Sequence, residues 1–326
     1  MARGDLALQT GRSQEEELRH GQSPWALTGK RLVRKRASML ALIIIATFYL
    51  MGIFAPWVAP YSYRAQNLDR TLEGPSAEHW LGTDRLGRDM LSRIIWGART
   101  SVIVSVAAVL SGTIFLGVFL GALAGYAGRW VDAVIMRVGE IFLAFPGLLL
   151  IILFAATLRP RFVEAVKALE QSTGFTGLIE SGAADYFVVF TGLAVFGWVG
   201  MARLVRGQLL ALKEQEFVQA AIAAGATHTR IILAHLLPNT ISPILVVVSM
   251  GLGGAIGSEL VLSWLGIGVQ PPTPSLGAMI FELGGQSSLQ RHPHLLLGPI
   301  SVVALVFFAF NLLGDGLNDA LNPRTQ

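Results

Sequence analysis

The sequence has no cysteine and little charge. Without thiols it can hold neither a disulfide framework nor a thiolate metal site. Asp, Glu, Lys and Arg together make up 14% of its 326 residues, where an ordinary soluble domain carries about a quarter. That shortage argues against a water-soluble globular protein. A phosphate-cradling loop is also missing: Gly29-Lys30 is followed by Arg31 and no strand-like run precedes it, whereas a P-loop needs a glycine-rich turn leading into Lys and Ser/Thr. The six histidines form no metal constellation. His228 and His235 lie seven apart without a carboxylate at helical spacing, and His292 and His294 flank Pro293 in a loop. No Ser/His/Asp arrangement can be argued. The chain therefore reads as non-catalytic, with no metal and no cofactor of its own.

What the sequence does have is apolar length. Hydrophobic residues make up 53% of it and its mean hydropathy is +0.57. A bilayer core takes about 20 mostly apolar residues per helix. Six such segments can be drawn, at about Met39–Ala59, Ser101–Ala124, Val131–Leu158, Tyr186–Ala202, Thr240–Leu265 and Leu295–Leu313, with Pro146 a kink inside the third. In lipid a spanning segment must satisfy its own backbone, so these are expected to be helices. The predicted fold is all-α: a polytopic membrane protein with six transmembrane helices. Small residues recur in "GTIFLGVFLGALAG" (112–125) and "GLGGAIGS" (251–258), as close helix packing requires.

Residues 1–38 read as an N-terminal tail, mobile over 1–28 and ending in the basic flank "GKRLVRKR". Such a cluster before a span marks the cytoplasmic side rather than a nucleic-acid surface. With the N-terminus inside, fourteen Lys and Arg fall in cytoplasmic segments and ten outside. The expected organisation is the first span with an external segment over 39–100, a core over 101–313, and a cytoplasmic tail over 314–326. Both termini then face the cytoplasm, and residues 60–100, 159–185 and 267–293 face outward.

Between the fourth and fifth segments stands "EFVQAAIAAGATHTRIILAHLLPN" (216–239). Ala220, Ala221, Ala223 and Ala224 favour a helix with a nearly featureless surface. Gly225 permits a left-handed helix end. The chain then resumes a helix with Ile232, Leu233, Leu236 and Leu237 on one face, which Pro238 is expected to stop. A short helix held out by two membrane-anchored arms suits docking to a partner protein.

This stretch resembles the signature loop of ABC importer permeases: Glu-Ala-Ala, three residues, Gly, nine residues, Ile, one residue, Leu-Pro. Here the pattern reads Gln219-Ala220-Ala221, Gly225 and Leu237-Pro238, with Gln219 in place of Glu and His235 in place of Ile. Three further stretches, "HWLGTDRLGRDMLSRIIWGARTSV" (79–102), "LSWLGIGVQPPTPSLGAMI" (262–280) and "NLLGDGLNDALNPR" (311–324), are similar to the second permease of dipeptide and oligopeptide importers. The resemblance implies a type I importer permease fold in the cytoplasmic (inner) membrane. It also implies a second homologous permease, two ABC ATPase subunits that hold ATP and Mg, and an extracytoplasmic substrate-binding protein. The cargo is a di- or oligopeptide, or in close relatives a nickel chelate, an opine or a saccharide. In that scheme the hairpin is the coupling helix, and Glu216, Gln219, Ala220, Ala221, Ala224, Gly225, Ala226, Thr227, His228, Thr229 and Pro238 make the ATPase contact. A secondary transporter is the alternative. It needs ionisable groups in mid-span, and the spans offer only Glu140, one turn from Arg137, and Glu259.

Glu259 faces either the translocation path or a neighbouring helix. Asp315 and Asp319, four apart at the end of the sixth span, are either solvated or partner contacts, because a helix C-terminus disfavours acids. Asp84, Arg88 and Asp89 either contact a partner or clamp the entrance to the second span. Arg203 and Arg206 read as interfacial anchors that could also meet a partner.

Overall fold

We describe the chain from a computed structural model, covering residue 32 and residues 35–174, 177–179, 181–285 and 290–321. The expected mobile tail over 1–28, part of the 285–294 segment and the last residues of the 314–326 tail lie outside these. Helices dominate: α1 (Arg36–Ile53), a short α2 (Ala55–Val58), α3 (Met90–Tyr126), α4 (Arg129–Leu143), α5 (Gly147–Thr173), α6 (Ala183–Lys213), α7 (Glu216–Ala223), α8 (His228–Trp264), α9 (Leu276–Leu283) and α10 (Pro293–Leu321). Five of them, α1, α3, α6, α8 and α10, are long and apolar enough to cross a membrane, and α4 with α5, a bent pair that is apolar enough together, brings the number to six if the pair counts as one span.

That break corrects the sequence reading. Pro146 is no mild kink: α4 and α5 meet at 88°. Nor does α5 stop near Leu158. It runs on through Pro160 to Thr173, so much of the expected external 159–185 segment is helix. Glu170 closes the turn that follows by accepting the N–H groups of Gly177, Leu178 and Ile179 at 2.6–3.2 Å. Arg159 and Asp185 tie α5 to α6 at 2.8 Å. The sixth span likewise continues as helix to Leu321, through most of the predicted tail.

Helices α3 and α6 approach closely along a row of glycines. A β-carbon built on Gly112 would lie 2.5 Å from the Ala194 backbone, one on Gly117 2.6 Å from Met201, and one on Gly121 2.6 Å from the Ala202 carbonyl. Gly112 and Gly117 are five residues apart, a spacing that does not share a face in an α-helix. The chain resolves this by widening into π-helical turns over Val109–Val118, where residues five apart stack. Over Phe119–Tyr126 it returns to α geometry, so Gly121 and Gly125 follow at the ordinary spacing of four. One small-residue seam thus runs down the helix, as packing without a hydrophobic force between spans requires.

The two ends of the bundle are built differently. At one end residues 60–93 and α9 form a cap, its apolar core shared by Met90, Ile94, Leu276, Met279, Leu283 and Leu295. At the other, α7 and the start of α8 fold back onto α3 and α6. Filling the seam should separate α3 from α6. Gly121→Val is expected to cost about 1–3 kcal/mol or more, as overpacking does, and to lower the thermal midpoint of the detergent-solubilised protein. Gly200→Ala, where an added carbon meets nothing within 4 Å, should leave it in place. Equal midpoints for the two variants would contradict the seam.

Candidate functional site

The hairpin is a rigid piece of structure. α7 ends in two reverse-turn bonds, Gly225 N–H to the Ile222 carbonyl at 2.9 Å and Ala226 N–H to the Ala221 carbonyl at 3.0 Å. This pair closes a helix through a left-handed residue, and Gly225 adopts φ +79° as required. Thr227 caps the next helix by accepting the Arg230 N–H. Apolar anchors hold the unit down: Val218 from α7, with Ile231 and Leu236 from α8, are buried against Ala122, Met201, Val205 and Leu209.

Two expectations change here. Leu236 is buried and Ile232 and Leu237 pack against the same cluster as expected, but Leu233 is 61% exposed and Ile231 is buried in its stead. The cause is a second π-helical stretch, Ile231–Leu236, which stacks residues five apart. Pro238 does not stop the helix either: α8 runs unbroken from His228 to Trp264. The widened turn just before Pro238 carries the chain past the carbonyl that its ring would strike in regular α geometry.

Outside the anchors the hairpin is open. Glu216, Gln219, Ala220, Ala224, Gly225, Thr227, His228 and Thr229 are exposed, and Ala221 and Ala226 are half-buried. Space around Gly225 is empty to 4 Å. Phe217 and Ile222 stand 42% and 43% exposed among these small residues. Polar bonds tie the unit to the spans. The Gln219 side-chain amide donates to the Lys213 carbonyl at 2.9 Å, satisfying one of the free carbonyls at the end of α6. A carboxylate could not donate there, which gives the Gln in place of Glu a physical role. His228 Nδ1 is hydrogen-bonded to the Tyr126 hydroxyl at 2.7 Å.

The remaining residues singled out in the sequence divide between the two ends. At the hairpin end, Arg206 forms a two-pronged ion pair with Asp132, one prong at 2.6 Å, tying α6 to α4. Asp319 meets Lys35 at 2.6 Å, so its cation comes from this chain's own basic flank. Arg203 and Asp315 are exposed. Arg137 and Glu140 pair at 3.0 Å.

At the capped end the clamp reading replaces the partner-contact one. Asp84 and Asp89 are only 2% and 4% exposed. Asp84 accepts from Arg88 at 2.6 Å and from Arg93 at 2.5 Å, and Arg93 reaches on to Glu282 of α9 at 2.9 Å. Asp89 caps α3 by accepting the Ser92 N–H at 2.7 Å and also meets His79 at 2.9 Å. Arg93, Glu282 and His79 were not anticipated. Arg93 stands four residues after Asp89, a helical spacing that could have drawn notice, whereas Glu282 is 189 residues from Arg93 and no local pattern marks it.

Glu259 is not on a solvent-lined path in this chain. It is fully buried, and three hydroxyls donate to its carboxyl: Ser101 at 2.8 Å, Ser263 at 2.8 Å and Ser275 at 2.9 Å. These come from α3, α8 and the strap leading into α9, so Glu259 pins the cap onto two spans.

A bundle of five long spans and a bent pair, with an anchored Ala-Gly hairpin between α6 and α8, is that of a polytopic all-α membrane protein. Comparison with known proteins agrees. Residues 117–326 match the family described as binding-protein-dependent transport system inner membrane component, and residues 23–75 match the N-terminal transmembrane domain of oligopeptide transport permease C. The chain is 40% identical over 304 residues to the dipeptide transport system permease protein DppC of Alkalihalophilus pseudofirmus, covering 93% of this chain and 91% of that one. It is 39% identical over 308 residues to the glutathione transport system permease protein GsiD of Shigella dysenteriae, covering 94% and 92%. The chain belongs to the binding-protein-dependent permease family and is a permease subunit of an ABC importer.

The Glu259 assignment separates two variants. Glu259→Ala leaves three buried hydroxyls without their acceptor and should destabilise the solubilised protein by about 1–3 kcal/mol. Glu259→Gln keeps an acceptor and should lose less. If Glu259→Ala melts like the parent but fails to transport, the carboxyl belongs to the substrate path instead.

Proposed function

We propose that this chain pairs with a second, homologous permease and, driven by two ABC ATPase subunits, moves dipeptides or short oligopeptides inward across the cytoplasmic membrane. The hairpin end faces the cytoplasm in this reading, which places both termini inside, and the capped end receives cargo from an extracytoplasmic binding protein. The observation that carries it is the hairpin itself: a capped helix, anchored by Val218, Ile231 and Leu236, with its small-residue face open to a partner. The face holds no cluster suited to acid–base or nucleophilic chemistry, and what it can do is dock. ATP and Mg belong to the ATPase subunits. Their closure, pressed on a hairpin fastened to α3 and α6, becomes rigid-body rotation of the spans, with each state favoured by the contacts it gains. The peptide assignment draws on the relatives, one named for dipeptides and the other for glutathione. A nickel chelate, an opine or a saccharide is the competing cargo on the same fold.

Gly225→Trp tests the coupling. Its φ of +79° disfavours any side chain, and an indole there would stand in the docking face. In proteoliposomes holding the full complex, ATP-dependent uptake should fall by about thirtyfold, as when a central interface contact is lost. Intact uptake would falsify the coupling role. Mass spectrometry of the ligand that co-purifies with the binding protein reads the cargo directly, and a metal chelate or sugar there would overturn the peptide assignment.

A further inference from the structure

One side chain gathers three span ends where the hairpin joins the bundle. Tyr126 is the last residue of α3. Its hydroxyl is bonded to Nδ1 of His228, the first residue of α8, at 2.7 Å, and the two rings meet edge to face with centroids 5.5 Å apart. The Lys213 ammonium, from the last residue of α6, lies over the Tyr126 ring at 5.3 Å. The carbonyl of that same Lys213 accepts from Gln219 of α7. Tyr126, Lys213, Gln219 and His228 therefore link the ends of α3 and α6 to both limbs of the hairpin. The seat beneath is apolar: Val218, Ile231 and Leu236 on Val205 and Leu209. Apolar contact is non-directional and lets packed helices slide. A hydrogen bond does not, because it weakens steeply with angle.

We infer that the Tyr126–His228 hydrogen bond is a latch that makes the hairpin and the second span move as one body. Tyr126 is then a positioning residue for energy coupling, outside the hairpin face, and His228, itself one of the expected ATPase contacts, joins it through Nδ1. The inference rests on the coupling role proposed for the hairpin. Tyr126 suits the task because its ring is half-buried in the hairpin's apolar seat while its hydroxyl reaches out to His228. With the bond in place, a push on the hairpin displaces the end of α3 directly. Without it, part of the push is lost as slip at the seat, and ATP is hydrolysed with less cargo moved.

The quantity to measure is substrate taken up per ATP hydrolysed by the full reconstituted complex, supplied with binding protein and a dipeptide. Tyr126→Phe, which removes only the hydroxyl, and His228→Ala should each lower that ratio by about two- to tenfold, the range corresponding to one side-chain hydrogen bond. The double variant should be no worse than the poorer single one, since both remove the same bond. His228→Asn, whose amide can occupy the place of Nδ1, should recover most of the ratio. His228 is exposed, so its variants should fold even if loss of the Tyr126 hydroxyl lowers yield, and agreement between Tyr126→Phe and His228→Ala separates the bond from any ATPase contact of His228. An unchanged ratio in Tyr126→Phe and His228→Ala, multiplying losses in the double variant, or His228→Asn as poor as His228→Ala would each overturn the latch. Gly225→Trp in the same assay separates the two ideas. If it transports normally, the coupling role itself is wrong. If it uncouples while Tyr126→Phe and His228→Ala do not, only the latch is.

Discussion

The close approach of the second and fourth spans is the constraint on which the rest of this molecule depends. Gly112, Gly117, Gly121 and Gly125 let the backbone of α3 lie against Ala194, Met201, Ala202 and Leu209 of α6. Lipid supplies no hydrophobic force to hold two spans together, so contact at van der Waals distance must do it. Once the seam is closed, the far end of α6 presents Met201, Val205 and Leu209 at fixed positions, and those side chains are the seat of the hairpin. Arg206, paired with Asp132, brings the first half of the broken span to the same place. A loosened seam would therefore be felt at the hairpin rather than only locally.

The two ends of the bundle use opposite chemistry. At the capped end, charges are taken out of water and matched: Asp84 between Arg88 and Arg93, Arg93 on to Glu282, Asp89 with His79. Removing one member of such a network leaves an uncompensated buried charge, which is costly. Glu259, satisfied by three serines, extends that polar fastening to α3 and α8. At the hairpin end the anchoring is apolar and the outer surface is small and open. A permanently assembled cap and a surface left available to a partner are what these two constructions provide.

Much of this was legible in the sequence because it follows from local rules. Apolar length located five long spans and the bent pair that would make a sixth, and the Ala run followed by Gly225 located a helix and its left-handed end. The misreadings came where a local rule met a rarer geometry. Pro238 signals a stop, but the π-helical turn over Ile231–Leu236 lets the helix pass it. The same turn moves Leu233 outward and Ile231 inward, an exchange invisible to a 3.6-residue period. Pro146 is followed by Gly147, a Pro-Gly turn signal, and sits at an 88° break, whereas Pro160 lies between two arginines inside an intact helix. The charges of the 79–102 stretch pair largely with one another, but Glu282, which completes the cluster, lies 189 residues beyond Arg93 and leaves no local mark. Gln219 and His228 could be singled out from the motif, but their bonds to Lys213 and Tyr126 depend on how three span ends converge.

The central claim is that the open face of the hairpin meets the ATPase subunits, and the absence of native cysteine allows a direct test. A single cysteine at exposed Ala224, carrying a maleimide-linked photo-crosslinker, can be illuminated in the assembled complex with and without ATP. The account predicts a covalent permease–ATPase product whose yield changes with nucleotide. A complex that stays assembled and active yet gives no such product in either state would contradict it.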